Sequence, residues 1–233
     1  SLGPSLFLGM SYLLIYLIIP VIPSTQILGP VTIIIWPFVT VFILYFYFCV
    51  YSKKKFEAAD AFKIFSENSK GLFFMSIVSA FYAIIIGIFV SSDFESITKA
   101  LQLKQGNEIN PFDFGILLLK LLIMGIPFYM ATWFSPLLIA YNEYGFLKAI
   151  KSSFAGTLMF SIPLLLGWFI LTGSFILVVL FVSFLFSSLS FLGQNLVSFL
   201  SSLFLLLSFT AYISIVFIFQ YVSYKDIFEK VKN

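Results

Sequence analysis

The sequence predicts an all-α polytopic membrane protein with six transmembrane helices, and three observations predict it. Hydrophobic residues make up 61% of the chain and charged residues 10%, against about half and a quarter in a soluble domain. The mean hydropathy is +1.09, too apolar for a surface that faces water. Six apolar runs reach the roughly 20 residues of one bilayer crossing, and strict apolar/polar alternation, the mark of a β-barrel strand, is missing. The lysines are segregated between alternate connecting segments.

The first run spans about Leu6 to Ile22 and is closed by Pro20 and Pro23. No basic segment precedes it, so it reads as a span and not as a signal peptide. The second covers Val31–Val50, the third Gly71–Val90 and the fourth Phe114–Ala140. The fifth covers about Phe154–Phe181 and the sixth Leu196–Val222, with a Ser/Gly/Gln/Asn turn at Ser187–Asn195 between them. Each run reads as a helix, because in hydrocarbon a segment must satisfy its own backbone. The whole chain, 1–233, reads as a single integral membrane domain.

Orientation is set by the lysines. Lys53, Lys54, Lys55, Lys63, Lys70, Lys148, Lys151, Lys225, Lys230 and Lys232 fall on one side of this topology. Only Lys99, Lys104 and Lys120 fall on the other. Positive residues stay cytoplasmic, so both termini are expected in the cytoplasm and the Ser91–Asp113 loop outside, in a bacterial inner membrane.

A repeat runs through the cytoplasmic segments. Each even-numbered helix exits into a tyrosine, Tyr51, Tyr141 or Tyr221, followed by a short amphipathic stretch. Ala58, Ala61, Phe62 and Phe65 fall at helical spacing, as do Phe146, Ala149, Ile150 and Ser153. Such spacing predicts short interfacial helices on the inner leaflet. The architecture expected is three hairpin repeats, each introduced by such a helix where present. The alternative is that any cytoplasmic loop carries lysines and a tyrosine belt.

Three stretches carry a resemblance. They are Trp133-Phe134-Ser135-Pro136-Leu137-Leu138 with the Phe146–Phe154 segment after it, the ending Tyr221-Val222-Ser223-Tyr224-Lys225-Asp226-Ile227-Phe228, and the opening Gly3-Pro4-Ser5-Leu6-Phe7-Leu8-Gly9. In these the chain resembles a family of small six-helix proteobacterial inner-membrane proteins of unknown function. The resemblance implies the fold and the membrane; it implies no activity and no catalytic residue.

Composition excludes much chemistry. There is one cysteine, Cys49, and no histidine, so zinc sites, CxxC redox motifs and histidine-based catalysis are not available within the chain. All 13 basic residues are lysine, which disfavours bidentate anion clamps. Serines and threonines inside the spans have no acid or base partner in sequence to activate them. We therefore expect no catalytic residue, cofactor or metal and no nucleic-acid partner. The expected partners are membrane lipids, and beyond them a membrane protein or a second copy of the chain.

Five residues are candidates for function. Lys120 is the one charge inside a predicted span, and an intramembrane charge is a functional candidate by default. Its position near the outer end also lets its stem snorkel to the headgroups, and that is the first reading, with an ion or substrate site as the other. Trp36-Pro37 and Trp133 with Pro136 place prolines inside the second and fourth spans. Proline frees a carbonyl and kinks a helix, which frames binding sites in some transporters and is simply tolerated in many membrane helices. Small residues, Ser76, Ala80, Gly167, Thr172, Gly173, Ser208 and Ala211, are expected at close helix contacts. Two function classes remain: a non-enzymatic module that handles lipid or another apolar molecule or scaffolds a membrane complex, and a transporter or channel for a small solute.

Overall fold

The computed structural model describes residues 2–18, 28–102, 111–188 and 193–229. Among them every regular element is helical. They are α1 (Leu2–Leu13, continued by a π turn at Leu14–Ile18), α2 (Gly29–Tyr51), α3 (Ala58–Gln102), α4 (Pro111–Thr132), α5 (Ser135–Asn142), α6 (Phe146–Met159), α7 (Ser161–Ser188) and α8 (Gln194–Tyr224, continued by a π turn at Lys225–Glu229). Five stretches are long and apolar enough to cross a membrane: α2, α3, α4 together with α5, α7 and α8. The chain is a multi-pass helical membrane protein.

The expected first span appears as α1, shorter than those five; its Pro20 and Pro23 end lies outside the described residues. Its direction is set by its contacts. The Ser5 and Tyr47 hydroxyls are 2.7 Å apart, and Ser214 Oγ donates to the Ser5 carbonyl at 2.9 Å. Thr210 Oγ1 reaches Met10 Sδ at 3.5 Å. Rising residue numbers on α1 thus meet falling numbers on α8, so the two run antiparallel. Gly9 permits the approach, since a Cβ there would stand 2.6 Å from the Thr210 carbonyl oxygen.

Four expectations are corrected. The Ala58–Phe65 stretch is not a separate surface helix. It is the first part of α3, whose 45 residues extend about 67 Å at 1.5 Å each, more than twice the roughly 30 Å hydrocarbon core. Once nucleated, a helix adds residues without a further nucleation cost, and no proline interrupts this one. Its apolar face is buried on α2 and not on lipid: the Phe65 ring packs edge-on to Phe38 at 5.9 Å, and Ala61 is fully buried. By the same continuity, Ser91–Gln102 is helix where a polar loop was expected.

The fourth and fifth spans are each displaced or divided. The helix expected at Phe114–Ala140 breaks between α4 and α5 at Trp133-Phe134. The residues expected to open the fifth span, Phe154–Met159, belong to α6, and α7 begins only at Ser161. Each break has the same cause. α4 ends at Thr132, four residues before Pro136, and α6 ends at Met159, four residues before Pro163. Proline has no N–H to bond the carbonyl four residues back, and its ring crowds that carbonyl.

The core lies toward the lysine-rich end of the bundle, where α2, α5 and the last turns of α8 meet. Phe134, Leu137, Leu138, Leu44, Leu72 and Met75 are almost wholly buried there. The three exit tyrosines gather at this end: the Tyr51 and Tyr221 rings lie 6.1 Å apart, and Tyr141 lies 6.3 Å from Tyr224. The segment beyond each tyrosine is different, however. After Tyr51 a short link leads into the continuous α3, after Tyr141 a separate α6, and after Tyr221 a π turn. The three segments converge without forming equivalent elements.

Candidate functional site: a broken helix and an open groove

The α4–α5 break would leave backbone groups unpaired in an apolar interior, at several kcal/mol each. Side chains from two other helices satisfy them. Ser153 of α6 stands between the ends: the Phe134 N–H donates to its Oγ at 3.0 Å, and its hydroxyl donates to the Met130 carbonyl at 2.9 Å. Thr157, one turn on, brings a second hydroxyl within 3.2 Å of the same carbonyl. Gln220 of α8 donates its amide to the Trp133 carbonyl. Ser153, Thr157 and Gln220 are all buried, so the break is a sealed polar junction among three elements. The Trp133 indole N–H is buried there without a hydrogen-bond partner among the described residues.

Aromatic rings pack around the junction. Trp133 lies 4.7 Å from Tyr129 and 5.6 Å from Trp168 of α7, and the Trp168 N–H donates to the Tyr129 hydroxyl at 2.7 Å. Trp133 and Pro136 are therefore both part of the junction. Trp36 packs against the same core to which Trp133 belongs, while Pro37 sits in an unbroken α2. Next to it, Ser76 of α3 donates to the Ile34 carbonyl at 2.5 Å.

Lys120 is placed elsewhere. Counted along α4 it is 13 residues before Trp133, about 20 Å at the helical rise. Its Nζ is 2.6 Å from Asp93 Oδ2 of α3. Sequence reasoning missed Asp93 because it was assigned to a loop. Ser153 and Thr157 were missed because folding brings them to a helix end that is remote along the chain, 19 residues separating Phe134 from Ser153. Of the expected small-residue contacts, Gly167 is tight against Phe219, whereas Gly173 faces open space.

Concavities open on the surface of the described residues, and two of them bear on function. A crevice of about 310 Å³ runs between α1, α2 and α3, walled by Leu8, Ile15, Phe38, Val39, Phe42 and Phe65, with Ser11 and Tyr12 as its polar members. A larger groove of about 900 Å³ lies at the lysine-rich end, between α3 and the α5–α6 turn. Its floor is Gly71, Phe74, Ile139 and Phe146; Glu67, Lys70, Glu143 and Lys148 stand on its rim. Glu143 holds the turn in a left-handed conformation (φ 54°), rare for a residue with a side chain. No group of acidic, histidine or cysteine residues that could hold a metal occurs among the described residues.

Fold and surface together define a class, a multi-pass helical membrane protein with concavities on its surface. No protein-family model, curated protein or solved structure matches the chain.

Proposed function

We propose that the chain is a non-enzymatic membrane protein that holds lipid or another apolar molecule, related to the inner-membrane family its motifs resemble. It sits in a bacterial inner membrane with the lysine-rich end in the cytoplasm, as the lysine distribution supports. The observation that carries this reading is the α1–α2–α3 crevice, whose walls are almost entirely apolar. A slot of that lining accepts an acyl chain and offers nothing to a hydrated solute. The absence of an activated nucleophile in the sequence supports the non-enzymatic part.

A photoreactive fatty-acyl probe in reconstituted vesicles tests it. Labelling should concentrate on the Phe38–Ile43 stretch and on α1, and Ser11→Trp, which fills the slot, should abolish it. Labelling spread evenly over all lipid-facing helices, unchanged by Ser11→Trp, would sink the reading.

Transport of a small solute is the second reading, and the broken α4–α5 helix favours it, since discontinuous helices form substrate sites in transporters. In those sites the freed backbone groups face the ligand. Here Ser153 and Gln220 occupy them, which supports a structural break. Solute flux through vesicles that responds to Gln220→Leu would reverse that ranking.

A further inference from the structure

We propose that the groove at the lysine-rich end binds the headgroup of an amine-bearing, zwitterionic phospholipid of the inner leaflet, the phosphoethanolamine type. This rests on the lipid-handling reading above, but concerns a different site from the acyl crevice. The groove lies where the long apolar part of α3 gives way to its charged first turns, between Gly71 and Lys70, the level at which headgroups meet hydrocarbon. Its walls are divided accordingly, apolar on the floor and ionic on the rim.

The rim carries charges of both signs. Lys70 and Lys148 are cationic, Glu67 and Glu143 anionic. Among the described residues Lys70, Lys148 and Glu143 form no ion pair with one another, and Glu67 has only a loose 4.0 Å contact to the solvent-exposed Lys63. A phosphate accepts hydrogen bonds from lysine ammonium groups, and a primary ammonium donates them to carboxylates; such charge-assisted bonds are the strong kind. One headgroup bearing both groups satisfies both halves of the rim.

The alternatives satisfy one half only. A purely anionic headgroup meets the lysines but is repelled by two carboxylates. A choline headgroup has no N–H, so burying the carboxylates beneath it removes their water without replacing the hydrogen bonds. One aromatic face that could receive it is already taken, because the Tyr144 ring carries the Lys148 ammonium 3.9 Å from its centroid. Below the rim, Phe74, Val78 and Phe81 are exposed along one face of α3 and continue the floor as a track for the acyl chains.

The test is the lipid content of the full chain, purified from nanodiscs made with equal amounts of phosphatidylethanolamine, phosphatidylcholine and phosphatidylglycerol of one acyl composition. Native mass spectrometry counts what remains bound. The wild type should retain the ethanolamine lipid about tenfold over either competitor, as one charge-assisted hydrogen bond corresponds to roughly that factor. Glu67→Gln with Glu143→Gln should erase the preference over choline while lipid stays bound. Lys70→Met should lower retention of all three, and it avoids the Tyr144 stack that Lys148→Met would disturb.

Equal retention of the three lipids, or enrichment of the glycerol lipid, overturns the proposal and leaves the lipid-handling reading standing. Retention of no lipid at all, with no acyl labelling of the crevice, overturns both. If the chain is dimeric and Leu147→Trp makes it monomeric with unchanged lipid content, the groove is an interface between copies and the proposal fails.

Discussion

Lys120 Nζ and Asp93 Oδ2 stand 2.6 Å apart across the α3–α4 contact. The two long apolar helices are thereby held at one register near the end of the bundle opposite the lysine-rich one. The Tyr82 hydroxyl, which donates to the Met124 carbonyl at 2.6 Å, fixes the same pair of helices about three turns along α3.

Removing the cation leaves a half-buried carboxylate unpaired. Lys120→Met should therefore destabilise the protein in detergent by about 1–3 kcal/mol, the penalty for an unsatisfied charged group discounted for its partial exposure. Asp93→Asn in the same background should recover most of the loss. Thermal unfolding of the two single variants and the double variant measures this coupling. A Lys120→Met protein as stable as the wild type would mean that the pair contributes nothing.

Ser153 serves two backbone groups of the break, and Thr157 shares one of them, the Met130 carbonyl. Ser153→Ala should cost about 2–3 kcal/mol and Thr157→Val clearly less, on the scale of a buried donor or acceptor left unmet. Gln220→Leu, which abandons the Trp133 carbonyl, should fall near Ser153→Ala. Thermal midpoints that rank Thr157→Val as the worst of the three would contradict the assignment of the junction.

Helix contacts offer a matched pair of glycines. A Cβ at Gly9 would crowd Ser214 Oγ and stand 2.6 Å from the Thr210 carbonyl oxygen, whereas at Gly173 nothing lies within 4 Å. Gly9→Ala should destabilise by about 1–3 kcal/mol through overpacking, and Gly173→Ala should be neutral or slightly stabilising through the lower entropy of the unfolded chain. Equal effects at the two positions would show that α1 does not pack on α8 as described.

Topology depends on α1. If it crosses, a reporter at either terminus behaves as cytoplasmic and a tag inserted at Gly106 is reached from outside. An N-terminal reporter outside, with the C-terminal one inside, would leave five crossings only.

Much of the fold was legible in the residues. The apolar runs located α2 and α8 to within a few residues, because a segment surrounded by lipid has to be uniformly apolar and helical; α7 lies seven residues further along than its run. The lysine-bearing exit segments were legible as one end of the bundle. The extent of α3 was not. Charged residues at Lys63, Glu67 and Asp93 look the same on a solvated helix as on a loop, so composition alone could not carry the helix past the apolar core.

Proline is where sequence and tertiary structure part. Pro37, Pro127, Pro136 and Pro163 each remove one backbone donor, and that much the sequence determined. α2 and α4 continue through Pro37 and Pro127, with a side-chain donor on a neighbouring carbonyl in each case, Ser76 at Ile34 and Tyr82 at Met124. At Pro136 the helix breaks instead, and Ser153 and Gln220 supply partners to the separated ends. The residues alone do not say which side chains from other helices reach the backbone beside each proline. That is a property of packing between segments distant in sequence, and only the folded chain contains it.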